Sequence, residues 1–214
     1  MSGPSSQYFA RDPSVPSDES VASLALDDLE LTFATDRGVF ANGRIDVGTR
    51  FLLQEAPRPD PSMGAVCDLG CGYGPVAVTL ARRSPATAVW AVDTNARAVA
   101  LTARNAAANG CEVHAVVVDE QGRALDGAPD DAAGLEHVRF DAIWSNPPIR
   151  IGKVALHSLL TTWLDRLTPE GRAWLVVQRH LGADSLQRWL QEQGWESQRL
   201  SSRAGYRILE VGAR

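Results

Sequence analysis

From residue 65 onward, short uninterrupted apolar runs alternate with longer segments whose apolar positions recur every three or four residues. The first kind reads as strands buried on both faces, and the second as helices that cover them. Strands are predicted at 65–69, 88–92, 113–118, 140–145 and 173–178. A closing pair near 196–200 and 206–211 flanks the turn Arg203-Ala204-Gly205 and has no helix between its members, so the last strand is expected to run antiparallel. Helices are predicted over 75–83, with Pro75 at its first position, and from Asn95 to a stop at Asn109-Gly110. The stripe Leu156, Leu159, Leu160, Trp163, Leu164 and Leu167 predicts another, ended by Pro169-Glu170-Gly171, and the last covers 184–193 and stops at Gly194. Residues 120–138 read as an acidic loop. Ahead of the first long strand, 29–40 alternates around a turn signal at Asp36-Arg37-Gly38 and predicts a hairpin or short strand pair. Residues 46–53 then read as a turn leading into a short helix. The pattern is that of a doubly wound α/β fold with a mostly parallel sheet.

Composition adjusts this picture little. The 214 residues are 44% hydrophobic and 22% charged, as in a soluble globular chain. The Ser-, Pro- and Asp-rich residues 1–20 read as a disordered tail, leaving 21–214 as one domain. No apolar run approaches a membrane span and no secretory signal is visible, so a cytoplasmic protein with no membrane partner is expected. Cys67, Cys71 and Cys111 match neither zinc nor disulfide spacing. The net charge of -5 argues against a strongly basic stand-alone nucleic-acid binder. Of the 21 basic residues only Lys153 is lysine.

Three places carry candidate chemistry. Asp68-Leu69-Gly70-Cys71-Gly72-Tyr73-Gly74 joins a strand to a helix, where glycines let backbone approach a ligand and free N–H groups face it. As a dinucleotide fingerprint its spacing is imperfect, because Pro75 stands where a glycine is needed. Asp93, ending the second strand, suits a ribose diol, in a nicotinamide cofactor or in S-adenosylmethionine. Asp119, at the same sheet edge after the third strand, is either an adenine contact or a solvated loop acid. The third place is Ser145-Asn146-Pro147-Pro148-Ile149. Two prolines stiffen the chain and hold Asn146 extended, presenting its side-chain oxygen and the Pro147 carbonyl as fixed acceptors. Such acceptors suit a planar exocyclic amine, whose lone pair they turn toward an electrophile without a strong base.

These residues resemble class I S-adenosylmethionine-dependent methyltransferases acting on amino nitrogens. More narrowly, RIDVGTRFLL, DLGCGYGPVAVTLAR, DTNARAVALTARNAAANG, NPPIRIGK and GYRIL are similar to the methyltransferase small-domain family. That family includes the catalytic half of the ribosomal RNA small-subunit guanine-N2 methyltransferase C group and short archaeal and actinobacterial relatives. The resemblance covers about residues 29–211 and implies a Rossmann-like seven-stranded sheet. It implies S-adenosylmethionine as cofactor, held by Asp68, Gly70, Gly72, Gly74 and Asp93, with an adenine contact near Asp119. The target amine would be bound by Asn146, Pro147 and Pro148. Thr49, with Asp46 in the GT segment, would close over the methionine end of the cofactor, or simply form a turn and helix cap. Ile149, Arg150 and Lys153 are candidate substrate contacts, the two cations for phosphate. The implied acceptor is a guanine N2 of small-subunit ribosomal RNA, and the implied partner is that RNA or the small ribosomal subunit.

The chain departs from the pattern twice. Ile149 stands where many amino methyltransferases carry Tyr or Phe against the target base, and the second, inactive half of the longer enzymes is not accommodated in 214 residues. Recognition is therefore expected from this domain, a partner chain, or a different target. Methylation of a protein glutamine amide is the alternative within the fold. A nicotinamide-dependent oxidoreductase is the alternative outside it, but no Tyr-Lys pair or His can be placed beside the glycine loop. Trp144, Trp174 and Tyr206 read as structural, the four histidines carry no metal or triad pattern, and monomer and dimer both stay open.

Overall fold

The computed structural model describes residues 15–125 and 134–214. An N-terminal hairpin of β1 (Ser20–Ala25) and β2 (Glu30–Thr35) pairs antiparallel, Ser20 opposite Thr35. Helix α1 (Val47–Glu55) follows. The α/β body then runs β3 (Ala65–Leu69), α2 (Pro75–Arg83), β4 (Ala88–Asp93), α3 (Ala96–Ala108), β5 (His114–Val117) and β6 (Phe140–Ser145). It closes with α4 (Lys153–Leu164), β7 (Leu167–Gln178), α5 (Ala183–Glu192), β8 (Ser197–Arg203) and β9 (Tyr206–Gly212).

The main sheet has seven strands in the order β5-β4-β3-β6-β7-β9-β8, with β9 antiparallel to both of its neighbours. The period of two along each strand divides the core between two faces. In β3, Val66 joins α1, α2 and α3 on one face, while Cys67 and Leu69 join α4 and α5 on the other. Trp144 and Trp174 are core residues as expected, 4.7 Å apart between ring centroids.

Three expectations need correction. The hairpin lies at 20–35 rather than within 29–40, because the small side chains of SVASLA give a faint alternation in which only Ala22 and Leu24 are buried. The Asp36-Arg37-Gly38 signal instead opens the turn-rich connection to α1. The strand expected at 173–178 begins at Leu167, since Pro169, Glu170 and Gly171 bulge out between the pairs Phe140–Leu167 and Ala142–Arg172 rather than ending the preceding helix, which stops at Leu164. Leu167 therefore belongs to β7, not to the preceding helix. Of the segment expected as a tail, residues 1–14 lie outside the described residues. The rest is bound to the body: Asp18 N–H donates to Asp36 Oδ1 at 2.6 Å, and Arg104 pairs with Glu19 at 2.8 Å. Part of the acidic loop, 126–133, is likewise outside the described residues.

Candidate active site

A cleft of about 510 Å³ opens along the carboxyl ends of β3, β4, β5 and β6. Its floor is the turn after β3. Gly70 (φ 76°) and Gly72 (φ 56°) are left-handed, and a Cβ at either would meet nothing within 4 Å, so the turn presents bare backbone to open space. The N–H groups of Gly70 and Cys71 donate to Val92 O at 2.9 and 3.0 Å, which ties the turn to β4. Gly74 faces the other way: a Cβ there would fall 2.9 Å from the Thr102 side chain.

Asp93 anchors this floor. Its Oδ2 accepts from Gly72 N at 3.0 Å and its Oδ1 from Asn95 N at 2.9 Å. Burial pushes the carboxyl up, and these N–H groups, with that of Thr94, pull it back. Because each carboxylate oxygen has further lone pairs, Asp93 retains acceptor capacity toward the cleft it lines. Asp68, in contrast, lies beneath the turn. It is 2% exposed, accepts from Ala77 N at 2.9 Å, and burial drives its carboxyl up to about 7, with Asp93 adding to the rise. It lies under the glycine turn, bonded to α2, and is not itself among the residues that line the cleft. Asp119 lines the cleft and is tied by its own loop: Oδ1 accepts from the Gln121 and Arg123 N–H groups and Oδ2 from Arg123 Nε at 2.8 Å. Partial burial would raise its carboxyl, and the Arg123 and Gln121 bonds outweigh this and hold it low.

The opposite wall is Asn146. Ser145 Oγ donates to Leu69 O at 2.6 Å, fixing the end of β6 beside the glycine turn. Asn146 Nδ2 then donates to Asp46 Oδ2 at 2.9 Å and to Thr49 Oγ1 at 3.1 Å. A carboxylate only accepts, so Asp46 fixes the amide flip and leaves the Asn146 oxygen for the cleft. Asp46 also caps α1 through Thr49 N at 3.1 Å, so the segment read as either cap or cofactor closure is a cap that also holds Asn146. After Asn146, Pro147 O accepts from Ile149 N at 2.8 Å around Pro148 at φ -74°, ψ 72°, an inverse γ-turn. The Pro147 carbonyl keeps one lone pair. Ile149 and Arg150 line the cleft, whereas Lys153, exposed in the first turn of α4, does not.

Sequence reasoning missed Phe40, Arg44, Gln178, Leu181 and Tyr206, which also line the cleft. Tyr206 was read as structural because it opens the closing strand. An antiparallel strand, however, begins at the edge where its parallel neighbours end, and Tyr206 pairs with Gln178 at the end of β7. Cys71 is buried and its thiol is pushed up by burial, which disfavours the thiolate. Among the described residues, no three His, Cys, Asp or Glu side chains gather as a metal site. None of their helices is long and apolar enough to cross a membrane.

The strand order, a glycine turn after β3, an acid ending β4 and Asn-Pro-Pro after β6 define a class I methyltransferase fold, whose cofactor is S-adenosylmethionine. The chain belongs to the methyltransferase small domain family, whose model matches residues 30–210. It is 32% identical to the uncharacterized protein YbxB of Bacillus subtilis over 207 residues, 97% of this chain and 98% of that one. It is 34% identical over 174 residues to the ribosomal RNA small subunit methyltransferase C of Pseudomonas paraeruginosa, covering 75% of this chain and 48% of the other. It thus spans about half the length of those enzymes. Among solved structures it is similar to the T. thermophilus 16S rRNA N2 G1207 methyltransferase in complex with AdoMet and guanosine, with a TM-score of 0.71 and 27% identity over 94% of this chain and 52% of that one. The open space before Gly70 and Gly72, with the Asp93 carboxylate beside it, fits that cofactor's backbone-bound and ribose-bound parts.

Proposed function

We propose that the protein methylates a planar exocyclic amino nitrogen, a guanine N2 of small-subunit ribosomal RNA, in the cytoplasm. The observation that carries this reading is the pinned amide of Asn146, whose two N–H bonds to Asp46 and Thr49 leave an acceptor oxygen at the cleft. Similarity to an enzyme named for small-subunit ribosomal RNA supports the choice of RNA, and similarity to the solved 16S rRNA N2 G1207 methyltransferase supports the choice of base.

Bound S-adenosylmethionine supplies an electrophilic methyl group on a sulfonium. Asn146 Oδ1 and the free lone pair of Pro147 O accept the two amino hydrogens of the acceptor. This draws the nitrogen out of conjugation and turns its lone pair toward that methyl group. The dipoles are fixed before the acceptor arrives, by Asp46 and Thr49 on one side and by the Pro148 turn on the other. In the attack the N–C bond would form as the methyl–sulfur bond breaks, S-adenosylhomocysteine would leave, and the nitrogen's surplus proton would pass to solvent, with little reorganisation of the fixed dipoles. Asp93 and the glycine turn would hold the cofactor. Arg44 and Arg150 line the cleft, which also holds Asp46, Asp93 and Asp119, and are its candidate contacts to a phosphate backbone.

The test is incubation with methyl-labelled S-adenosylmethionine and, separately, unmodified 16S RNA, assembled small subunits and a peptide release factor. Digestion and mass spectrometry should find N2-methylguanosine in one of the two RNA samples. Label confined to a glutamine of the release factor would replace this reading with glutamine methylation.

A further inference from the structure

One aromatic ring is fixed at the acceptor end of the cleft by the same turn that fixes Asn146. Tyr206 is half-buried, lines the cleft, and its hydroxyl accepts from Gln178 Nε2 at 2.8 Å. A Cβ added to Gly48 would lie 2.7 Å from Tyr206 Cε1, so the ring edge rests against bare backbone. Gly48 sits between Asp46 and Thr49, the two acceptors of the Asn146 amide. Ring and amide oxygen are thereby held in one fixed relation.

Few other groups there offer a flat apolar face. Ile149 is aliphatic, and Trp163, although at the cleft, is fully buried with the Arg166 guanidinium over its ring. Phe40 is 45% exposed, on the connection ahead of α1. No bond anchors its side chain. Tyr206, tied at its hydroxyl and wedged at its edge, loses little freedom when a base stacks on it.

We propose that Tyr206 is the stacking platform for the acceptor's planar base, held in place by Gln178 and Gly48, and that it replaces the aromatic side chain lacking at Ile149. This rests on the amino-acceptor reading above. An aromatic platform accepts a nucleobase or another planar conjugated amine and gives an aliphatic amine no advantage.

The experiment compares wild type, Tyr206→Phe and Tyr206→Leu in methylation of transcribed 16S RNA, with calorimetric binding of S-adenosylhomocysteine run on each. Loss of one base–aromatic stack should raise the KM for RNA about 10- to 100-fold in Tyr206→Leu. Tyr206→Phe, which keeps the ring, should stay within about threefold of wild type. S-adenosylhomocysteine affinity should be unchanged in both. If Tyr206→Leu does not fold, Tyr206→Met is read in its place. An unchanged KM, or a loss of S-adenosylhomocysteine affinity as large as the rise in KM, overturns the platform. A wild type that binds S-adenosylhomocysteine but methylates neither RNA nor small subunits overturns the amino-acceptor reading, and the platform with it.

Discussion

Asn146 Nδ2 donates a 2.9 Å hydrogen bond to Asp46 Oδ2, across 100 positions of sequence. The bond decides which end of the amide faces the cleft, and therefore what the Asn-Pro-Pro segment can do. An asparagine free to flip would offer donor and acceptor alternately. Held by a carboxylate and by Thr49, it offers the oxygen alone.

Asn146→Ala should lower methyl transfer by about 10²–10³-fold, the cost of one preorganised polar partner, with S-adenosylhomocysteine affinity nearly intact. From the sequence, Asn146→Asp should be milder, since it keeps an acceptor oxygen. The structure reverses that expectation, because the new carboxylate would face Asp46 at hydrogen-bond distance. The double variant Asp46→Asn, Asn146→Asp restores one donor and one acceptor across the contact. It should recover activity above either single variant in a turnover assay; a double variant as poor as Asn146→Asp alone would exclude the pairing.

The Asp93 carboxylate binds the loop and also lines the cleft. Asp93→Ala should weaken S-adenosylhomocysteine binding by about 1–3 kcal/mol, the range for hydrogen bonds to a charged group. Asp93→Asn should also weaken it, since an amide placed between the Gly72 and Asn95 N–H groups must turn one donor toward another. Calorimetric titration reads both, and wild-type affinity in Asp93→Ala would remove this residue from the cofactor site.

The strands buried on both faces were legible because their apolar runs are continuous, and Asn95 and Gly110 bounded α3 as their capping chemistry requires. The cleft was legible where its lining sits in local sequence: Gly70 and Gly72 of the glycine turn, Asp93 and Asn146 all line it. It was not legible where its lining depends on sheet order. Nothing near Tyr206 states that β9 inserts between β7 and β8. Nothing near Asp46 states that its partner lies after β6. Asp119 and Asp68 are acids in expected positions whose surroundings were not legible: the first is tied by its own turn and the second lies beneath the glycine loop.

The three glycines of the turn should separate by phenotype. Gly70→Ala and Gly72→Ala place a methyl group in open cleft space at positive φ, so each should lower cofactor affinity while costing about 1–2 kcal/mol of stability for the left-handed conformation. Gly74→Ala adds to that strain a contact 2.9 Å from the Thr102 side chain and 3.2 Å from its Cα. It should show the largest drop in melting temperature of the three. Equal drops for all three, with equal affinities, would mean that the first two glycines do not face a ligand.

Asp68 gives the protein a pH-dependent stability. Its carboxyl is raised from the ordinary 3.8 to about 7, first by burial. Between those values the folded chain holds a proton that the unfolded chain has released, so stability falls as pH rises through this window. The contribution is complete below about pH 4, lost by about pH 7 and level above it. A shift of this size corresponds to at most about 4 kcal/mol. Asp68→Asn keeps an acceptor for the Ala77 N–H and cannot ionise. Urea unfolding at pH 5 and pH 8 should therefore show the wild type losing stability relative to Asp68→Asn as pH rises. Asp93, whose carboxyl is also raised, remains in both proteins and largely cancels in the difference. Parallel profiles for the two proteins would mean that Asp68 is already ionised in the fold at pH 5, held by more than the single N–H of Ala77.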